Sequence, residues 1–269
     1  MTIQKCRRCR NDKFYQVRRG KKRCKKCGYE FKPRIANFSL TKREWKKLIF
    51  WFVLEQPIRE IEKQTKLSHY SVSLGVKLLR RIMTKDVPGI FSGTVEVDET
   101  YLGGQKKNKR KKQLLKDRLE GKESKRGKGT TKQPVFGILA RNGKIFAELV
   151  DATEAKDLLP IITKKVKAGS NICSDTAKAY TGLAAKGYVH RTVEHKEKEY
   201  VSKTNKSNHI NGLEGFWGYL KRKPAAKGGV KREYLHLFLG EYVWRYNYRE
   251  LAKEEQVKRL LNQIINFSG

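Results

Sequence analysis

Long apolar runs are missing from this chain. No stretch approaches the roughly 20 residues that a helix needs to span a bilayer. The first residues also lack the apolar segment of a signal peptide. Together these absences exclude a spanning helix and point to the cytoplasm. There, five cysteines read as metal ligands or free thiols before disulfides. Acidic residues are scarce as well: 27 Asp and Glu stand against 62 Lys and Arg, a formal net charge of +35. Such an excess goes beyond what solubility requires and favours a polyanionic partner, because each phosphate neutralised releases counterions. Nucleic acid leads that choice, and an anionic membrane surface comes second. Hydrophobic residues at 38% and aromatics at 10% exclude wholesale disorder. The 269 residues suffice for one sizeable core with one or two small modules.

What is present centres on Thr94-Val-Glu-Val-Asp-Glu-Thr-Tyr-Leu-Gly-Gly104. Val95 and Val97 alternate with Glu96 and Asp98, the pattern of a strand with one buried face, and the glycine pair ends it. A carboxylate in mid-strand is costly to bury unpaired, so Asp98 asks for a lysine, an arginine or a metal ion. A half-exposed strand with its carboxylates in water is the plainer reading. Two later carboxylates that can converge on Asp98 favour a metal-dependent phosphodiester-cutting centre.

Ahead of it, Cys6-Arg-Arg-Cys9 and Cys24-Lys-Lys-Cys27 form two Cys-x-x-Cys knuckles 14 residues apart. Two knuckles complete a tetrahedral Cys₄ site for one structural Zn²⁺, although the spacing is one residue short of the usual window. Phe14–Val17 reads as a short strand between them. Residues 1–35 carry 14 Lys or Arg against Asp12 and Glu30. A segment so poor in apolar residues draws its folding energy from the metal. A zinc-stapled protein-contact module is the competing reading to a phosphate-touching zinc ribbon. Next, Thr41 caps a helix with Glu44 as its capping-box partner, and Pro57 closes that segment. Residues 58–66 form a second helix, and Leu67-Ser68 turns into a third from His69 to Met83. This order matches a helix-turn-helix. Its last helix would present His69, Tyr70 and Ser73 to bases, and Lys77, Arg80 and Arg81 to phosphates. A three-helix packing unit that never touches DNA is the alternative.

From residue 90 the pattern is an α/β domain. Residues 105–133 hold 13 Lys or Arg against three acidic residues, a basic insertion that is either solvated or able to clasp a DNA backbone. Strands follow at 134–141 and 144–151, joined by the hairpin turn Asn142-Gly143. A helix is expected over 155–166, a strand over Asn171–Asp175, a helix over 176–185 and a strand over 188–195. That succession is the order of the RNase H-like fold, a mixed five-stranded sheet with helices, in which the first and fourth strands are neighbours and bring Asp98 to Asp175. In His209–Arg222, Leu213, Phe216, Trp217 and Leu220 trace a helical stripe, with Asn211 and Glu214 on another side. Glu214 would complete a three-carboxylate cluster able to hold two Mg²⁺ or Mn²⁺ ions. His190, His195 and His209 read as polar strand or loop residues, and Cys173 as a small buried one. Residues 234–248 are expected to form an aromatic-rich helix.

The motifs Val-Glu-Val-Asp98-Glu-Thr-Tyr, Ser-Asp175-Thr-Ala-Lys-Ala-Tyr, Asn211-Gly-Leu-Glu214-Gly-Phe-Trp-Gly-Tyr-Leu-Lys-Arg and Glu241-Tyr-Val-Trp-Arg-Tyr-Asn-Tyr-Arg249 together resemble the DDE-type transposases of bacterial insertion sequences. The resemblance is to the group with a zinc ribbon and helix-turn-helix ahead of an RNase H-like catalytic domain, and it covers almost the whole chain. It implies metal-dependent cleavage at transposon ends and transfer of the 3′-hydroxyls into target DNA. The partners it implies are terminal inverted repeats and target DNA, double-stranded, engaged by a homodimer or higher assembly near the bacterial nucleoid, with no membrane. Asp98 and Asp175 match the first two ligands. The third is Glu214, whose charge suits a hard cation, with Asn211 as a supporting ligand because members of the group vary there. Lys221 or Arg222, about two helical turns further on, could meet a phosphate, although solvation on the helix surface is the plainer reading. The expected layout is a zinc ribbon over 1–36, a helix-turn-helix over 40–86, a catalytic domain over 90–250 and a helical tail over 251–269. A non-cutting DNA-binding regulator and an RNase H-like nuclease without strand transfer are the alternatives.

Overall fold

The computed structural model describes residues 5, 6, 8–18, 21–31, 38, 40–103, 111–121, 132–141, 143–176, 178–193, 210–226 and 229–267. The chain divides into two compact units, residues 1–82 with 250–269 and residues 83–249.

In the first unit a small antiparallel sheet of β1 (Phe14–Val17), β2 (Lys21–Cys24) and β3 (Glu30–Phe31) lies beside the cysteines. Strand β2 has no apolar alternation. It forms by backbone pairing, with Lys22 lying over the Phe14 ring. Helix α1 (Lys42–Val53) begins at the expected capping box: Glu44 N–H donates to Thr41 Oγ1, and Glu44 Oε2 accepts from the Thr41 N–H. Trp45, Leu48, Ile49, Phe52 and Val53 are its buried stripe. Helices α2 (Ile58–Thr65) and α3 (His69–Lys85) follow across a turn in which Lys66 takes a left-handed conformation, φ 58°. Val257, Leu260, Leu261 and Ile264 form the buried stripe of α8 (Lys253–Asn266), which packs against α1.

The second unit is a five-stranded mixed sheet in the order β6-β5-β4-β7-β8. It is built from β4 (Thr94–Leu102), β5 (Gln133–Ala140), β6 (Ile145–Leu149), β7 (Asn171–Asp175) and β8 (Val189–Val193). The β4-β5-β6 portion is antiparallel, whereas β7 and β8 run parallel to β4. An antiparallel meander flanked by two parallel strands is compatible with the expected RNase H-like sheet. Alternation along β4 gives the sheet two cores. Val95 and Val97 join Phe136, Ile138, Leu158 and Ile162 on the side of α5 (Ala155–Lys165). On the other side Leu102, Val135 and Leu139 pack against α6 (Asn211–Ala226) and α7 (Leu235–Asn247) through Leu213, Trp217 and Phe238.

Two expectations are corrected. Residues 176–185 do not form a helix; the segment holds 3₁₀ turns at Lys178–Tyr180 and Ala184–Lys186. Ala179, Tyr180 and Leu183 must all reach the core within one short stretch, and Gly182 lies between them. The basic insertion contains a helix, α4 (Lys111–Leu119), with Leu115 and Leu119 exposed. Most of the rest of that insertion, together with Asn142, His195 and His209, lies outside the described residues.

The closing motif has a structural task. Asn247 reproduces a strand edge: its amide accepts from the Ile145 N–H at 2.7 Å and donates to the Ile145 carbonyl at 2.8 Å. Trp244 Nε1–H and the Tyr248 hydroxyl both donate to Asp86, at 2.8 and 3.1 Å. Glu241 and Arg245 form a buried pair at 3.0 Å.

Candidate active site and cysteine cluster

Glu96 and Asp98 leave β4 on the α6 side, because Val95 and Val97 occupy the other. Strand β7 pairs in parallel with Glu96 opposite Cys173, so continuing that register by two residues sets Asp175 beside Asp98. Across β5, the residue opposite Asp98 is Gly137. A Cβ at Gly137 would lie 2.6 Å from the Trp217 ring. Its absence lets the indole lie flat on the sheet, where Trp217 Nε1–H donates to Asp98 Oδ2 at 3.0 Å. Burial is the main reason the Asp98 carboxyl is pushed up to about 6, with the negative charges of Asp175 and Glu214 adding to it; the Glu99 backbone and the Trp217 donor pull the other way. Asp175 and Glu214 are thus each close enough to act on Asp98. Asn211 is exposed at the first residue of α6, one turn before Glu214.

Sequence reasoning missed the groups that hold this arrangement. Glu96 is only 1% exposed. Its Oε2 accepts the Leu213 N–H at 2.9 Å, and Arg141 Nε lies 3.9 Å from Oε1. A buried carboxylate thus ties the first turn of α6, where free N–H groups point outward, to the strand that carries Asp98. The clue was present, since residues two apart on a strand share a face. Glu99 faces the opposite core. Burial pushes it up to about 7, and the charges of Asp98 and Asp175 reinforce the rise. The buried Tyr180 hydroxyl makes no strict hydrogen bond, yet it lies near enough to ease Glu99 downward. Lys221 is held below its ordinary value by partial desolvation, raised by Asp98 and lowered by Lys132. Lys221 therefore borders Asp98, and Lys132 lies near Lys221. His190 bonds to Ser174 Oγ at 2.8 Å, with burial lowering its pKa. Cys173 is fully buried, as expected.

At the other end of the chain, the sulfurs of Cys6, Cys9, Cys24 and Cys27 all lie within 4.8 Å of one another. The pairs Cys6–Cys27 and Cys9–Cys24 are each 3.5 Å apart. A tetrahedron with metal–sulfur bonds of about 2.3 Å has sulfurs about 3.8 Å apart, so this group can take a structural metal such as zinc. Against its burial, Cys24 is drawn down to about 6 by the backbone N–H groups of Cys27 and Lys26 and by the Asn11 amide. Cys9 goes the other way: the Asn11 backbone N–H favours its thiolate, but burial and three neighbouring sulfurs push it up to about 12. Cys6 is drawn down as well, against its burial, by the backbone N–H groups of Cys9 and Arg8. Among the described residues, the cysteines are the one group of potential ligands that converges this tightly.

On α3, His69 and Tyr70 are exposed, Tyr70 at 72%, and Ser73, Lys77 and Arg80 are partly covered. His69 Nδ1 is bonded to Glu62 at 2.6 Å. Arg81 is exposed further along the helix.

A family model described as the ISXO2-like transposase domain matches residues 90–247. The chain belongs to that transposase family. The match takes in β4, β7 and α6, hence Asp98, Asp175 and Glu214. A transposase-like protein of Haemophilus influenzae is 30% identical over 118 residues, which cover 44% of this transposase and 93% of the relative. A protein in transposable element ISH50 of Halobacterium salinarum is 23% identical over 253 residues, 90% of this chain and 83% of the other. Membership makes DNA the partner of this insertion-sequence transposase. Among the described residues, no helix is long and apolar enough to cross a membrane.

Proposed function

We propose that this transposase cleaves DNA at the ends of its element and joins the freed 3′-hydroxyls to target DNA. In this reading Asp98, Asp175 and Glu214 hold two magnesium or manganese ions, and Asn211 supports the same set. The observation that carries it is the parallel pairing of β4 with β7, which lays the strand of Asp98 beside the strand that ends in Asp175, with the Trp217 indole holding Asp98. Carboxylates brought near one another repel, and a bound divalent cation offsets that repulsion. Oxygen donors suit a hard divalent cation. Bound ions of this kind activate an attacking oxygen and stabilise a departing one.

The chain supplies the rest. Trp217 fixes the orientation of Asp98, and Glu96 fixes the turn that carries Glu214. Lys221 and Lys132 offer positive charge to the phosphate being cut. The four cysteines hold one zinc and with it the small sheet of a zinc ribbon over 1–36. Residues 40–86 form a helix-turn-helix, with His69, Tyr70 and Ser73 facing bases and Lys77, Arg80 and Arg81 facing phosphates. The cutting domain spans 90–250 and the helical tail 251–269. Terminal inverted repeats are the ends recognised, and holding two of them together requires at least a homodimer on DNA.

The test is a magnesium-dependent cleavage assay on DNA carrying the element's own ends, comparing Asp98→Asn, Asp175→Asn and Glu214→Gln. Each variant should lose cutting to background while end binding persists. Wild-type cutting by all three would overturn the assignment. Cuts without joined products would replace strand transfer by simple hydrolysis.

A further inference from the structure

The first unit carries a groove that the reading above does not use. It lies between α1 and α8, holds about 710 Å³ and falls inside the range of roughly 300–1,000 Å³ typical of ligand sites. Its walls carry five cations, Lys42, Arg43, Lys46, Lys47 and Lys258, against one acid, Glu254. All five are exposed, and among the described residues none is in an ion pair. The floor is apolar, made by Val257 and Leu261 from α8 and by Phe50 and Trp51 from α1. The two aromatic rings meet edge to face, centroids 5.6 Å apart, and neither is fully covered. Spacing explains this layout. The buried stripe of α1 is Trp45, Leu48, Ile49, Phe52 and Val53, so residues 42, 43, 46, 47, 50 and 51 share the remaining face at helical repeat. That face is cationic for its first two turns and aromatic for its third.

We infer that this groove binds single-stranded DNA. Lysines and an arginine with no internal partner match phosphates, and an apolar floor with a half-exposed tryptophan matches the face of an unpaired base. Duplex DNA would satisfy the cations but not the floor, because its base faces are stacked away. An acidic peptide would likewise leave the aromatic floor without a partner. No residue of α3 lines the groove, so on the helix-turn-helix reading proposed above the first unit would carry two nucleic-acid surfaces of different kinds. One suits intact duplex, and the other suits the frayed or displaced strand that cutting and joining create.

The test uses the full-length, zinc-loaded protein with a labelled 12-nucleotide oligo(dT), a duplex of mixed sequence and polyglutamate. Trp45, Trp217 and Trp244 are buried, so quenching of tryptophan emission by oligo(dT) reports Trp51. Trp51→Ala should weaken oligo(dT) binding about tenfold and abolish the quench, with Trp51→Phe between it and wild type. Lys46→Gln with Lys47→Gln should make the log–log salt slope for oligo(dT) shallower by roughly 1.4, two phosphates' worth. Lys258→Gln tests the opposite wall and should weaken binding in the same sense without altering α1. Duplex affinity should change less than twofold in the tryptophan variants. Equal losses for duplex and single strand would overturn the proposal, as would polyglutamate competing on a par with oligo(dT) or an unchanged quench in Trp51→Ala.

Discussion

The cysteine cluster and the carboxylate cluster are opposite solutions to holding a cation. The four sulfurs already converge to within 4.8 Å, held by the loops and short strands on either side of them. Asp98 instead carries a penalty, chiefly from its burial and further from the charges of Asp175 and Glu214. On the function proposed above, one site would draw folding energy from its metal, whereas the other would be built against the stability of the metal-free protein, its scaffold supplying the difference. That scaffold is the sheet itself, with Trp217 and Glu96 as its local restraints.

The largest expected effect breaks the first half of this contrast. Cys24→Ser should remove the bound zinc, whose binding to small metallo-domains contributes about 10–16 kcal/mol. Hydrogen exchange should then show residues 5–31 unprotected while β4 and β5 keep their protection; retained zinc, one per chain, would refute the cluster.

The second half predicts the reverse sign. The Asp98 carboxyl is raised above its ordinary value, so the folded state prefers it protonated. Its cost is absent below about pH 4, grows as pH rises, and is complete above about pH 6. In metal-free protein at pH 8, Asp98→Asn should therefore stabilise the fold by about 1–3 kcal/mol, and the gain should vanish at pH 4. Urea titrations at the two pH values measure it, and destabilisation at pH 8 would sink the idea. Magnesium should raise the melting temperature of wild type more than that of Asp98→Asn.

Smaller changes probe the scaffold. Gly137→Ala places a methyl where the Trp217 ring lies and should cost about 1–3 kcal/mol by overpacking. It should also reduce cleavage through the lost restraint on Asp98. Glu96→Gln keeps an acceptor for the Leu213 N–H but gives up the charge facing Arg141. About 1 kcal/mol is expected, read from thermal melts, with a weaker magnesium response if the turn carrying Glu214 loosens.

Much of the second unit was legible in advance. Alternation marked β4, the hairpin marked β5 and β6, and the stripe Leu213–Phe216–Trp217–Leu220 marked α6. Those elements have one apolar face, so their periodicity carries the fold. The rest obeyed other rules. Strand β2 consists of Lys21-Lys22-Arg23-Cys24 and is defined by its neighbours' backbone, which no side-chain pattern reveals. The 3₁₀ turns after Asp175 satisfy burial of Tyr180 and Leu183, a tertiary demand stronger than the helical preference of the alanines. In the site, the acids could be named from motifs. What restrains them, an indole over a glycine and a buried carboxylate under a helix start, depends on contacts more than a hundred residues apart in sequence.

The packing of α8 on α1 has a consequence for biosynthesis. The whole of the second unit is made between these two helices, which at ordinary rates separates them by on the order of ten seconds or more. During that interval α1 has no partner for the seam that α8 will cover, and the groove between them does not exist. A nascent chain can thus finish its second unit before its first is whole. Ribosome-arrested chains ending before Lys253 should be cleaved by protease within α1, and complete chains should resist.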